Sequence, residues 1–463
     1  MKKQIPLWIR HVRYNLRGGF LVRPLTIALA LGAAGAAFSW AEETFPIVSE
    51  WVPRALFPSH ADPQVAQIIL GGIAASIMTV VSIVFAILLM TLTLASMQFS
   101  PRIIVSFARD RVTQWTLGIF LGTFSYCIAA LPAARSLPQP FSPVATVGGA
   151  MVLALMCVAW LLFFIHHISQ AISVNHIVDR IASETDAMID EIMPEPRRDY
   201  RVEPLAVVSV EPWEDPLLCE KSGYIRYVDI AKLVAVAKSN RVKVHMVRRV
   251  GQFVPAGVPI VMVYKGARLT REAAAELREA VDIGPARTLQ QDVEFGILQI
   301  VDIALKAISP AVNDPTTGIT CVDQLSRILI RVASRQPPEG FFYDPPGVVR
   351  VSVIWPTFRQ LIHTAFDQIR LYAQRDTAVS LRLLRALNDI ASATHDPEIR
   401  RQLLVRARAI VEECSKELSD EDVRPMRARL AALEKMAESN ESVAETLHVT
   451  GDEEKQAKHH HGD

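Results

Sequence analysis

The chain has 463 residues, 50% of them hydrophobic and 21% charged, with a formal net charge of +1 and a mean hydropathy of +0.23. That balance excludes a chain-wide electrostatic attraction for nucleic acid or another polyanion, and the length allows two or three domains. The average conceals a division, because charge is nearly confined to short connections between Pro24 and Ile165 and is dense from His176 onward.

Residues 1–23 carry Lys2, Lys3, Arg10, Arg13, Arg17 and Arg23 with no acidic residue. Trp8, Val12, Leu16 and Phe20 fall on one helical face and three of the arginines on another, the pattern of a short interfacial helix resting on anionic headgroups. A basic leader without fixed structure fits the same residues.

Pro24–Ala41, Val65–Pro101, Val112–Pro132 and Ser136–Ile165 contain no Asp, Glu, Lys or Arg. Each holds the roughly 20 apolar residues that cross a bilayer, which predicts a transmembrane domain over 24–166 with helices at 24–41, 66–98, 113–132 and 141–166. The flanks set the orientation. The N-terminal segment is basic, the first loop holds Glu42, Glu43, Glu50 and Asp62 against Arg54, and the second holds Arg102, Arg109 and Arg111 against Asp110. Both termini are therefore expected in the cytoplasm of a bacterial cell, with the chain in the inner membrane. The long basic stretch before the first span marks an uncleaved anchor rather than a signal peptide.

No Asp, Glu, Lys or Arg lies within the predicted spans, and His166 and His167 stand only at the cytoplasmic end of the fourth, which argues against a proton-coupled pump. The second span offers a different feature. At about 100° per residue, Gly72, Ala75, Thr79, Ser82, Ala86 and Thr93 gather on one face, Ser96 and Ser100 extend it toward the cytoplasm, and Arg102 at the interface faces headgroups or a permeating anion as a further pore-lining candidate. Such a stripe either lines a narrow pore, with hydroxyls replacing part of an ion's hydration, or packs against a neighbouring helix. Arg102 by default snorkels to the headgroups. Ala28, Gly32 and Ala36 form a similar stripe on the first span, for which packing is expected.

His166–Ile192 keeps a helical pattern and predicts that the fourth span runs on as a stalk over 167–196, carrying Asp179, Arg180, Glu184, Asp186, Asp190 and Glu191 into water. A small β-rich module is expected over 197–266. Its strands read at Leu205–Val210, Tyr224–Asp229, Val242–Val247 and Pro259–Tyr264, with a helix over Ile230–Ser239. Val242–Val247 alternates apolar and polar residues as a half-buried strand does. The order from Ser222-Gly223-Tyr224-Ile225 to Gly251–Ile260 resembles the barrel-sandwich modules related to biotinyl and lipoyl domains. The lysine that such carriers modify has no clear match, so a swinging-arm role is not implied.

Residues 267–440 read as a cytoplasmic helical domain of about seven helices, interrupted near Pro337–Val353 by turns and one strand. Residues 441–463 are polar, end near His459-His460-His461, and are expected to be disordered. The five cysteines, Cys127, Cys157, Cys219, Cys321 and Cys414, form no metal or disulfide pattern and read as small buried residues.

Three passages carry a resemblance: Thr91–Arg102, Arg287–Asp292 with Phe295–Ala304, and Ser309–Thr317. They resemble a bacterial family of predicted membrane proteins catalogued as a domain of unknown function. The resemblance implies the topology described above and no reaction. Read physically, a helix over Arg287–Ser309 places Asp292, Gln299 and Asp302 near one face, followed by Asn313, Asp314, Thr316 and Thr317 at the next helix start. These oxygen-rich groups are ligand-binding candidates for a cation or small polar molecule, and a hydrogen-bonded helix junction accounts for the same residues.

The expected fold is thus a four-helix membrane domain, a small barrel-sandwich-like module and a helical cytoplasmic domain. The function read from the stripe is a homo-oligomeric ion channel or channel-like protein with a cytoplasmic regulatory domain and an inorganic ion as its cargo. The alternative is a non-conducting membrane-anchored scaffold or sensor. No nucleophile elbow, P-loop, H-E-x-x-H or Rossmann glycine pattern occurs, so neither catalysis nor a cofactor or metal site is expected.

Overall fold

The computed structural model describes residues 22–45, 62–98, 111–135, 141–171, 173–195, 215–344 and 347–436, with the side chains of 94–98 and 171 excepted. The proposed interfacial helix, the Leu205–Val210 strand, the histidine tail, Ser100 and Arg102 lie outside these residues, as does the side chain of Ser96. The chain divides into two compact units, Met1–His176 and Ile177–Asp463.

Among the described residues the first unit holds four helices long and apolar enough to cross a membrane: α1 (Val22–Thr44), α2 (Pro63–Gln98), α3 (Arg111–Ala130) and α4 (Val144–Ala171). Between apolar helices in lipid there is little hydrophobic drive, so close packing and hydrogen bonds must hold them. Glycines provide the closeness. A Cβ on Gly35 of α1 would stand 2.6 Å from the Tyr126 carbonyl oxygen of α3, and one on Gly118 would stand 2.6 Å from Ile27 Cδ1. The packed face of α1 runs through Ala28, Gly32, Gly35 and Ser39, and Ala36 is exposed. Expected packing thus occurs, but Gly35 takes the place assigned to Ala36. Helices α2, α3 and α4 close around Leu70, Phe120, Cys127, Val147 and Phe164, all fully buried. Trp160 Nε1 donates to Thr116 Oγ1 at 2.9 Å across α3 and α4.

The fourth span does not continue unbroken. Helix α4 ends at Ala171 and α5 (Val174–Ile192) starts a new helix. Nor is α5 a solvated stalk, because Ile177, Val178, Ile181, Ala182, Thr185 and Ile189 are buried. Its acidic face meets a later helix, as described below.

The second unit continues with β1 (Asp215–Leu218), β2 (Gly223–Val228), α6 (Ile230–Ser239), β3 (Lys243–Met246), β4 (Phe253–Val254) and β5 (Pro259–Tyr264). Next come α7 (Arg271–Glu279), β6 (Val281–Gly284), α8 (Val293–Ala307), α9 (Pro315–Ala333), β7 (Phe341–Asp344) and β8 (Val348–Ser352). The strands form a five-stranded mixed sheet, β1-β5-β3-β8-β7, and a three-stranded antiparallel sheet, β4-β2-β6. Among the described residues only β3 and β8 pair in parallel. The β region therefore draws in β6, β7 and β8 from beyond residue 266, the boundary expected from the sequence. Val242, Val244 and Met246 are buried while Lys243 and His245 are not, the alternation expected of that strand. Ile225, Leu233, Met246, Ile260 and Leu277 fill the space between the sheets and α6 and α7.

The remaining helices are α10 (Phe358–Ile362), a π-helical turn over His363–Asp367, α11 (Gln368–Tyr372), α12 (Thr377–Ala393), α13 (Pro397–Glu417) and α14 over residues 420–436. Helix starts here follow local chemistry. Asp229, Thr270, Asp292, Asp314, Thr357, Asp376 and Asp396 each accept an N–H of the first turn that would otherwise lack a partner. The cysteines are all buried and unpaired.

Candidate functional site

In α2 the structure places Ala66, Leu70, Ala74, Ile77, Val84 and Thr91 on the buried face. Gly72, Ala75, Thr79, Ser82, Ala86 and Thr93 are all exposed. At about 100° per residue the two sets lie opposite one another on the helix. A Cβ on Gly71 or Gly72 would meet nothing within 4 Å. The small residues of this outer stripe thus do not serve packing within the chain, whereas Ala66 and Ala74 on the opposite face, and Ala28 and Gly35 of α1, do. Thr79, Ser82 and Thr93 donate their hydroxyl protons to the carbonyls of Ala75, Met78 and Leu89, one turn back. That disposes of each donor inside the helix and leaves hydroxyl oxygens as acceptors on the outer face. On the same face Ile68 and Met90 are 72% and 66% exposed, separated by about 33 Å of helix.

The polar contacts at the other end of the first unit escaped sequence reasoning. Helix α1 reaches Thr44, so Glu42 and Glu43 belong to its last turn rather than to the loop. Glu42 is 1% exposed. Its carboxylate accepts from Ala145 N at 2.7 Å, Thr146 N at 2.9 Å and Thr146 Oγ1 at 2.8 Å. It therefore caps α4, where a negative charge meets the positive end of the helix dipole. Glu43 pairs with Arg135. A last-turn glutamate beside an apolar helix gives no local sign of which N–H groups it will meet.

The candidates in the second unit do not assemble into one site. Residues 287–291 are not helical, and α8 begins at Val293 with Asp292 as its cap, accepting from Phe295 N at 3.0 Å. Asp314 caps α9, taking the Thr317 N–H at 3.1 Å and its hydroxyl at 2.6 Å. The two aspartates stand at opposite ends of the 15-residue α8, about 22 Å apart along its axis. Gln299 is buried on α8 between them, and Asp302 is half-buried. Asn313 adopts φ +51° and is exposed, as is Thr316. The Thr317 hydroxyl, then its backbone N–H, holds the Asp314 carboxyl below the usual carboxylate range.

What does assemble around Asp292 is a charge network. Arg287 Nε and Nη2 fork onto Asp292 at 2.8 Å each, and Nη2 also reaches Glu294 at 3.2 Å. Arg249 approaches Glu294 from the turn before β4 at 3.0 and 3.2 Å and donates to Gln360 of α10. Thr364 of the π turn donates to Glu294. Gly251, with φ +87°, lies against Asp292 and Arg287, where no side chain fits. Gln291 pairs both the N–H and the carbonyl of Val228. Two carboxylates facing two guanidiniums tie the sheets to α8 and α10, and the bidentate form is the stronger kind of ion pair.

The sequence matches, over residues 17–389, the family described as predicted membrane protein (DUF2254). The chain belongs to this family. An uncharacterised protein of Mycobacterium tuberculosis H37Rv is 32% identical over 428 residues, covering 90% of this chain and 80% of that protein. One from Mycobacterium bovis matches to the same extent. No solved structure matches. The family span takes in the outer face of α2, the Arg287–Asp292 network and the Asp314 cap, while α13 and α14 lie beyond it. Within the family's long phrases, Gly296 marks where Thr185 of α5 comes too close for a side chain.

Proposed function

We propose that this family member is a homo-oligomeric ion channel or channel-like protein of the bacterial inner membrane, with α2 lining the passage. Both termini and the second unit lie on the cytoplasmic side, where the second unit acts as the regulatory part. The single observation that carries this reading is the outward-facing stripe of Gly72, Ala75, Thr79, Ser82 and Ala86, opposite the helix face that packs within the chain. A lipid-facing surface gains nothing from small, hydroxyl-bearing residues, whereas copies of the chain brought together along this face would enclose them. Hydroxyl oxygens with their protons already committed suit partial replacement of a cation's hydration shell. Ile68 and Met90, at the two ends of the stripe, supply apolar constrictions of the kind that gate by dewetting. The basic N-terminal segment and the acidic first loop support the orientation.

The test is ion flux through the purified chain in liposomes under separate potassium, sodium and chloride gradients. Selective flux is expected in the parent, with a reduction of about tenfold or more when Thr79 and Ser82 are both replaced by Leu. Flux unchanged by those substitutions would sink the assignment of α2. Absence of flux under every gradient and voltage would replace the channel with a scaffold.

A further inference from the structure

We infer that the groove between the π turn and α13 is a binding site for a phosphate-bearing small molecule of about nucleotide size. The inference rests on the second unit alone and stands whether or not α2 lines a passage.

The open groove has a volume of about 610 Å³, within the roughly 300–1,000 Å³ of small-molecule sites. Arg359, His363, Asp367 and Arg370 line it from one helix, and Arg406 and Val405 from α13. Three guanidiniums therefore face a single carboxylate. That carboxylate is already engaged, because Asp367 pairs with His363 Nδ1 and accepts from Arg406 Nε at 3.2 Å. Arg406 uses Nη1 on the Gln402 carbonyl, and Arg370 gives Nη1 to Glu413. Among the described residues the Arg359 side chain makes no hydrogen bond or ion pair, and its charge is felt by Glu398. Each arginine thus keeps N–H groups without a protein acceptor. A neutral or cationic ligand leaves them unmet, whereas a multiply charged oxyanion satisfies several at once through charge-assisted bonds. Val405, 61% exposed, gives the opposite wall an apolar stretch for the rest of the ligand.

The backbone under the groove is unusual as well. A π turn slips the helical register by one residue, a distortion concentrated at functional sites. Here it turns His363 and Asp367 to the groove while Thr364, between them, reaches Glu294 of the charge network. Ala365 and Phe366 remain in the core.

The experiment is isothermal titration of the full-length purified chain with magnesium-free ATP and, separately, inorganic pyrophosphate. Saturable binding of either probe is expected, weakened about tenfold in Arg359→Ala, the loss of one charged contact. The Arg359 side chain is exposed and makes no bond, so its variant keeps the parent's thermal unfolding, and Arg424→Ala, which does not line the groove, should bind as the parent does. Failure of both probes to bind at about 1 mM overturns the proposal. So does binding that Arg359→Ala leaves intact, or that Arg424→Ala weakens equally.

Discussion

Glu42 ends one long apolar helix and caps another, so one side chain ties α1 to α4. Replacing it with Ala removes the acceptor of three donors, two of them buried main-chain or hydroxyl groups of Thr146. We expect Glu42→Ala to lower stability by about 1–3 kcal/mol, with Glu42→Gln losing less because one amide oxygen remains. Thermal or detergent-induced unfolding of the purified chain measures both, and equal stability of Glu42→Ala and the parent would refute the cap. The contrast with Asp314 is instructive. Asp314-Pro315 announces a helix start in the sequence itself, and α9 begins there. Glu42 acts on residues about a hundred positions away, so nothing in its neighbourhood declares its role. The same holds for Glu294 and Arg249, whose contact depends on the turn before β4 meeting the first turn of α8.

At the scale of elements, the join between α5 and α9 is an electrostatic ladder. Arg327 bonds Asp186 at 2.9 Å and Asp179 at 3.1 Å, and Arg331 and Arg335 share Asp190. Exposed rungs of this kind contribute little singly. Asp186 is different, being buried, so Arg327→Ala strands a carboxylate and costs about 1–3 kcal/mol. Hydrogen exchange is expected to quicken along α5 while the core amides of α8 and α12 hold, and uniform protection would count against the ladder. Arg331, by hydrogen bond and charge, keeps the Asp190 carboxyl below its ordinary range. A carboxyl depressed in the folded state contributes at neutral pH, so this rung is lost only as pH falls through the carboxylate range. The α5 pattern of charge and apolar residues was legible as a helix. Its destination was not, because the same acidic face suits solvent or a row of arginines equally well.

At the scale of the whole molecule, each unit has a core of its own. The second buries Ile225, Leu233, Met246, Ile297, Leu325, Leu387 and Leu403. A fragment spanning residues 173–436 is therefore expected to be soluble and monodisperse, with circular dichroism of a mixed α/β protein. Aggregation of that fragment in the absence of detergent would show that it depends on the membrane helices.

The sequence by itself determined the four apolar helices, half of the strands (β2, β3, β5 and β8) and the starts of α6 and α9. These rest on local quantities: hydropathy over about twenty residues, alternation at period two, and side chains that reach an N–H three residues on. It also marked the stripe on α2, since facing is a matter of periodicity. Only the tertiary structure decided that this stripe points away from its own bundle, that β6, β7 and β8 complete sheets begun far earlier, and that arginines from α10, α11 and α13 line one groove. Those outcomes depend on which distant segments meet, and a residue's identity carries no address for a partner a hundred positions away.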